Sequence, residues 1–236
     1  MSMQMFCLPY AGGSSSIYYD WKTEFEPTVE IVPLEYAGRG KRFCEEYFKT
    51  NEEAAEDLSD KIIQQQRGDY VIYGHSMGCL VALQTAFCLV KKKANLPKAI
   101  IVAATRPPHL MYKDKPLEKM TRDELMQEIA SMGQMEEEIM EDKEMYDIIA
   151  DIMYADIHMF KAYKRHYNDG KLDIPLLALT GDGDDEAPEE DMKEWQFYTN
   201  GNFEYRRFEG NHFFAFNGGT VFRNYILDYI KRLAWR

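Results

Sequence analysis

An α/β fold on a doubly wound, mostly parallel sheet follows from three features of the sequence. Six short runs rich in β-branched and aromatic residues alternate with helical patterns, the arrangement that parallel sheets with crossover helices require. The apolar stretch CLVALQTAFCLV at 79–90 is long enough for a buried helix directly after the strand candidate YVIY at 70–73. Between the two lies Gly74-His-Ser76-Met-Gly78. In such a strand–turn–helix setting the glycines leave room for a strained backbone and the serine hydroxyl stands at the carboxyl edge of the sheet. Ser76 is therefore the candidate nucleophile. The alternative is a glycine-rich turn in which Ser76 merely caps the helix.

Taken in order, residues 5–10 (MFCLPY) predict the first strand, running into the glycine- and serine-rich loop at 11–16 and then a helix over 17–25. A loop leaving a strand in this way can aim an N–H at a developing oxyanion, with the N–H after the nucleophile as its partner. Ala11 and Met77 are the candidate donors, unless the loop is only a connection whose serines cap the next helix. A second strand over 30–36 leads to the basic, glycine-spaced loop Ala-Gly-Arg39-Gly-Lys-Arg42 at 37–42, either solvated surface or a receiver for phosphate. An amphipathic helix is expected over 51–66, and a buried strand over 99–104 ends at Thr-Arg106-Pro-Pro-His.

Residues 111–167 carry only helical patterns and nine of the fourteen methionines. Residues 111–160 hold 14 Asp and Glu against 5 Lys and Arg. An acidic exterior and a methionine-lined interior fit a lid over an apolar pocket, because unbranched thioethers repack around varied guests, though methionine also serves ordinary packing. His158 and His166 fall here and read as surface or core histidines. The sheet resumes with IPLLALT at 174–180, then the acidic loop Gly-Asp182-Gly-Asp184-Asp185-Glu186, a helix over 188–198, a strand over 203–208, the loop bearing His212, and a closing helix over 220–235.

A serine hydroxyl needs an imidazole to take its proton and a carboxylate to hold the imidazole's tautomer. Asp184 and His212 each follow a predicted strand in a glycine-containing loop, in the chain order Ser, Asp, His that this kind of fold uses. Asp182 and Asp185 are alternatives for the carboxylate. A calcium loop does not fit, since Ala187 stands where the tight turn needs glycine. His75 reads as structural.

The 236 residues are expected to form one domain, 1–236, carrying that helical insertion, with composition (45% apolar, 14% aromatic) typical of a globular protein. A net charge of −12 argues against nucleic acid or an anionic membrane as main partner. The start lacks a cationic leader with an apolar core, and no run of eighteen apolar residues occurs, so a cytoplasmic protein is expected. Cys7, Cys44, Cys79 and Cys88 show no zinc spacing and read as reduced core residues.

Gly74-His-Ser-Met-Gly78, Pro9-Tyr-Ala-Gly-Gly13, Tyr36-Ala-Gly-Arg-Gly40, Thr105-Arg-Pro-Pro-His109, Ala155-Asp156 and Gly210-Asn-His-Phe-Phe214 together resemble the external (type II) thioesterases of nonribosomal peptide and polyketide synthetases. Cys79, Asn211 and Asp185 stand where that family usually has a small residue, glycine and proline. The resemblance implies an α/β-hydrolase with a helical lid that frees stalled or wrong acyl groups from the phosphopantetheine of carrier proteins. It implies Ser76 as nucleophile, His212 as base, Asp184 as its partner, and Ala11 with Met77 as amide donors. No metal or soluble cofactor is expected, and the partner is a carrier domain met by a monomer. Arg39 and Arg106 are expected to flank the approach of the pantetheine arm and to offset repulsion from an acidic carrier.

Overall fold

The computed structural model describes residues 3–113, 115–131 and 142–234. Its elements in chain order are β1 (Met3–Leu8), α1 (Tyr19–Phe25), β2 (Val29–Pro33), α2 (Asn51–Gln65), β3 (Tyr70–His75), α3 (Met77–Lys91), β4 (Ile100–Ala103), α4 (Arg122–Ser131), α5 (Lys143–Ala162), β5 (Leu176–Gly181), α6 (Glu189–Lys193), β6 (Phe203–Phe208), α7 (Phe214–Asn217) and α8 (Gly219–Ala234), with short 3-10 turns between them. The six strands lie in the order β2-β1-β3-β4-β5-β6, and every neighbouring pair is parallel. This is the doubly wound sheet that the alternation predicted.

Period-two alternation splits each central strand between two cores. Phe6, Leu8, Tyr70, Ile72, Ile100, Val102, Leu176 and Ala178 face the layer built on α2 and α3, with Leu58, Ile62, Leu80, Leu83 and Trp195. Met5, Cys7, Val71, Tyr73, Ile101, Leu177 and Leu179 face the layer of α1 and α8, with Trp21, Phe25, Phe222, Ile226 and Tyr229. The near-continuous apolar composition of these strands reflects burial on both sides.

Several boundaries differ from expectation. The first strand ends at Leu8 and the second at Pro33, so residues 9–10 and 34–36 belong to the loops above the sheet. β2 is an edge strand, where proline's missing N–H is tolerated. The helix expected over 188–198 is one short α-helix followed by a 3-10 turn over Glu194–Tyr198. Cys7, Cys79 and Cys88 are buried, but Cys44 is exposed because its segment is a loop rather than core.

Between β4 and β5 the described chain is helical. α5 buries Ile152, Asp156, Met159 and Phe160, the i, i+4, i+7, i+8 face of an amphipathic helix. Met159 and Phe160 join the core beside α2 and α3, while Ile157 forms a small cluster with Leu125 and Ile129, against which Met120, Met153 and Ala11 pack. Met126 is fully buried and Met145 exposed, whereas Met132, Met135 and Met140 lie outside the described residues. The insertion thus touches the loop after β1, directly above the sheet edge.

Candidate active site

β3 ends at His75 and α3 begins at Met77, leaving Ser76 alone in the turn at φ 52°, ψ −122°. That conformation is costly for a residue with a side chain and persists only where the surroundings enforce it. Two close approaches enforce it here. A Cβ on Gly74 would lie 2.4 Å from the Gly78 carbonyl oxygen, and one on Gly78 would lie 2.4 Å from the Leu8 carbonyl oxygen. The turn is further held by the Ser76 N–H donating to Ala103 O at 2.8 Å. The Ser76 side chain makes no capping bond to α3, so the hydroxyl is not spent on the helix.

The loops after β5 and β6 are joined to each other above the sheet. Gly183 N donates to Gly210 O at 2.9 Å, and Gly210 N donates to Asp182 Oδ1 at 3.0 Å. Asp182 therefore braces the histidine loop, and Asp185 is exposed. Asp184 is the acid that reaches His212, whose Nδ1 lies 3.1 Å from both Oδ1 and Oδ2 of the buried carboxylate. Nδ1 carries the hydrogen toward that carboxylate, which leaves Nε2 as the basic nitrogen. Burial pulls the His212 pKa down, but the hydrogen bond and charge of Asp184, with the charge of Glu186, outweigh it and leave it raised above the ordinary 6.5. Nε2 makes no hydrogen bond among the described residues, and neither does Ser76 Oγ; such contacts commonly tighten only around bound substrate.

His75 ties the serine turn to the histidine loop. Its ring is fully buried, with Nε2 2.9 Å from His212 O and Nδ1 3.1 Å from Tyr73 Oη. A carbonyl can only accept, so Nε2 donates and Nδ1 accepts from the tyrosine. Burial and the neighbouring His212 push its pKa well below 6.5, so it stays neutral.

The Ala11 loop approaches from β1. Gly13 N donates to Tyr10 O at 3.0 Å in a tight turn, and Gly12 lies at φ +78°. Neither the Ala11 N–H nor the Met77 N–H has an acceptor among the described residues, which leaves both for a ligand. The Tyr10 ring packs edge-on against His75 and Phe213, filling the space between this loop and the other two.

Two expected site residues are placed otherwise. Arg39 is 3% exposed and grips Asp156 of α5 through both terminal nitrogens, at 2.6 and 2.5 Å. It is neither solvated surface nor a docking group, because the acid on the inner face of α5 draws it inward. Arg106 is likewise occupied: Nε donates to Asp191 Oδ2 at 2.8 Å and Nη2 to Asp185 O at 3.4 Å, while Lys113 holds the other Asp191 oxygen at 2.6 Å. The two arginines stitch the insertion and the exit of β4 to the body. Cys79 fits without strain, its thiol 3.1 Å from both Gly74 O and Ala103 O, and burial raises its pKa out of the reactive range. Asn211 turns back on its own loop, its Oδ1 accepting from Phe213 N at 3.0 Å. His109 is paired with Glu194 at 2.7 Å, and His158 and His166 bond to nearby backbone, all three away from the elbow. Asp156 had no role assigned to it from sequence. Its signal was present as a lone acid on the apolar face of a helix that reads Ile152, Asp156, Met159, Phe160.

A parallel sheet with a strained serine in the turn after β3 and an acid-anchored histidine in the loop after β6 belongs to the class of α/β-hydrolases. Known proteins narrow this class. The profile of the thioesterase domain matches residues 3–228, and the chain belongs to that family, making it a hydrolase of thioesters. Thioesterase PikA5 of Streptomyces venezuelae is 30% identical over 97% of this chain and 81% of its own length. The gramicidin S biosynthesis protein GrsT of Aneurinibacillus migulanus is 25% identical over 91% of this chain and 83% of its own. Among solved structures, ClbQ from the colibactin NRPS/PKS pathway superposes with a TM-score of 0.91 at 26% identity, covering 99% of both chains.

Proposed function

We propose that the protein is a type II thioesterase that removes acyl groups from the phosphopantetheine thiol of synthetase carrier domains through a serine acyl-enzyme. The single observation that carries the chemistry is the bifurcated contact of His212 Nδ1 with the buried Asp184, in a loop that His75 ties to the strained serine turn. The carrier-bound substrate is supported by the kinship with biosynthetic thioesterases over nearly the whole chain.

In the first step Ser76 Oγ attacks the thioester carbonyl carbon while His212 Nε2 takes the hydroxyl proton. The carbonyl oxygen becomes an alkoxide facing the Ala11 and Met77 N–H groups. Collapse breaks the C–S bond, and the imidazolium returns its proton to the departing thiolate. Water, deprotonated by His212, then attacks the acyl ester; the bond to Ser76 Oγ breaks, the imidazolium returns its proton to that oxygen, and the acid is freed. A thiolate leaves readily, so the two amides and the positioned base supply most of what is needed. Arg39 and Arg106 are assigned no docking charge in this reading, since both guanidinium groups are engaged in internal ion pairs.

Intact-mass measurement of carrier proteins bearing different acyl groups tests the reading. Wild-type protein should return holo-carrier from short acyl loads, and Ser76→Ala should not. Faster turnover of free medium-chain acyl thioesters than of any carrier load would overturn it in favour of a fatty-acyl chain-releasing enzyme. That reading draws on a rat medium-chain fatty acid synthase thioesterase 24% identical over 97% of this chain.

A further inference from the structure

The oxyanion loop is held by a side chain that does not belong to the sheet. Three successive features of residues 10–13 have named partners. The Tyr10 carbonyl accepts from Gly13 N–H at 3.0 Å. The Gly12 N–H donates to Asp156 Oδ2 at 2.8 Å. The Gly13 carbonyl accepts from Arg39 Nη1 at 3.1 Å. A peptide unit is planar with its C=O and N–H antiparallel, so fixing the Tyr10 carbonyl fixes the direction of the Ala11 N–H in the same plane. The next plane is set by Asp156 and the one after Gly13 by Arg39. Both of these residues are 3% exposed, and Asp156 sits on α5, 144 residues from the loop it holds.

A buried ion pair is weak evidence for stability, because desolvation offsets attraction. Here Arg39 Nε has no partner among the described residues, so the pair is not arranged to satisfy the guanidinium fully. Its geometry instead serves the loop: one carboxylate oxygen is shared between Arg39 Nη1 and the Gly12 amide. Met153, one turn before Asp156, packs over Gly12, whose φ of +78° lets the chain turn beneath it.

We propose that Asp156, with Arg39, positions the oxyanion hole: the insertion helix holds the Ala11 amide in its productive direction through Gly12. Turnover therefore depends on the seating of α5 against the body. This inference rests on the serine-hydrolase reading above.

The test compares three variants on a small neutral thioester. Arg39→Lys keeps the charges balanced but loses the fork. Arg39→Met/Asp156→Asn removes both charges and keeps an acceptor for Gly12, whereas Arg39→Met/Asp156→Leu removes the acceptor as well. Misplacing an oxyanion donor costs on the order of tenfold to a thousandfold in kcat. The Leu double variant should fall about tenfold or more in kcat below the Asn double variant, with KM within about twofold. Arg39→Lys should lie between them and wild type. The affinity for a trifluoromethyl ketone, which captures Ser76 Oγ as an anionic hemiketal, should fall in parallel with kcat/KM, a readout that mere loss of stability would not move. Equal kcat and equal ketone affinity in wild type, Arg39→Lys and whichever double variants fold would overturn the inference. A wild-type protein that no such ketone inhibits would instead overturn the serine-hydrolase reading, and the positioning role with it.

Discussion

At the scale of single residues, the site turns on two histidines whose surroundings shift them in opposite directions. His212 must be neutral to take the serine proton, and its pKa is raised by Asp184 against the pull of burial. The acid limb of kcat/KM should therefore have its midpoint above 6.5 and move to lower pH in the residual activity of Asp184→Asn. Ser76→Ala and His212→Ala should each lower turnover by about three orders of magnitude or more, with Asp184→Asn comparable or milder, in steady-state assays of thiol release. His75 is the opposite case. Its folded pKa lies well below 6.5, so below about pH 6 unfolding takes up a proton there and stability falls as pH falls. His212, raised, is charged in both states in that range and adds no slope; its favourable contribution is present below 6.5 and is lost as pH rises through its folded pKa. Denaturation of His75→Asn should thus show a stability-versus-pH slope shallower by about 1.4 kcal/mol per pH unit below about pH 6. An unchanged slope would mean that His75 is charged in the folded protein.

At the scale of elements, loops anchored to one another give the site its precision. The two loops that carry the acid and the base are bonded through Gly183 and Asp182 to Gly210, and His75 fastens the serine turn to the base loop. The exit of β4 is fastened separately, through Arg106 to Asp191 in α6, whose side chain is 4% exposed. Losing Arg106 removes one of the two cations on that carboxylate, and Lys113 still holds the other oxygen. Arg106→Gln should lower the free energy of unfolding by about 1 kcal/mol in chemical denaturation while leaving kcat on a small thioester within about twofold of wild type. A loss of kcat at unchanged stability would return Arg106 to the site. The order of strands and helices was legible in the sequence because apolar runs alternate with amphipathic ones. The ends were less so: 9–10 and 34–36 look like strand but lie above the sheet, because local propensity does not register where the neighbouring strand stops.

At the scale of the whole molecule, the chain carries a net charge of −12, and the two arginines that looked available to a partner are engaged in internal ion pairs. Under the proposed function, an acidic carrier would be repelled at long range, where the Debye length shrinks from about 30 Å at 0.01 M salt to about 8 Å at 0.15 M. The kcat/KM for carrier-bound substrate should rise over that interval, while that for a small neutral thioester stays flat. A fall with salt would point to a basic docking face. Among the described residues, no helix is long and apolar enough to cross a membrane.

The sequence alone determined the sheet, the nucleophile turn, and the candidates Ser76, Asp184 and His212, because each is written in a local pattern: a period, a glycine spacing, a polar residue just past a strand. Only the tertiary structure decided among the acids of one loop, since Asp182, Asp184 and Asp185 differ in where they point rather than in what they are. It also decided the fate of Arg39, because a guanidinium goes wherever a buried carboxylate awaits it, and Asp156 lies 117 residues further along the chain.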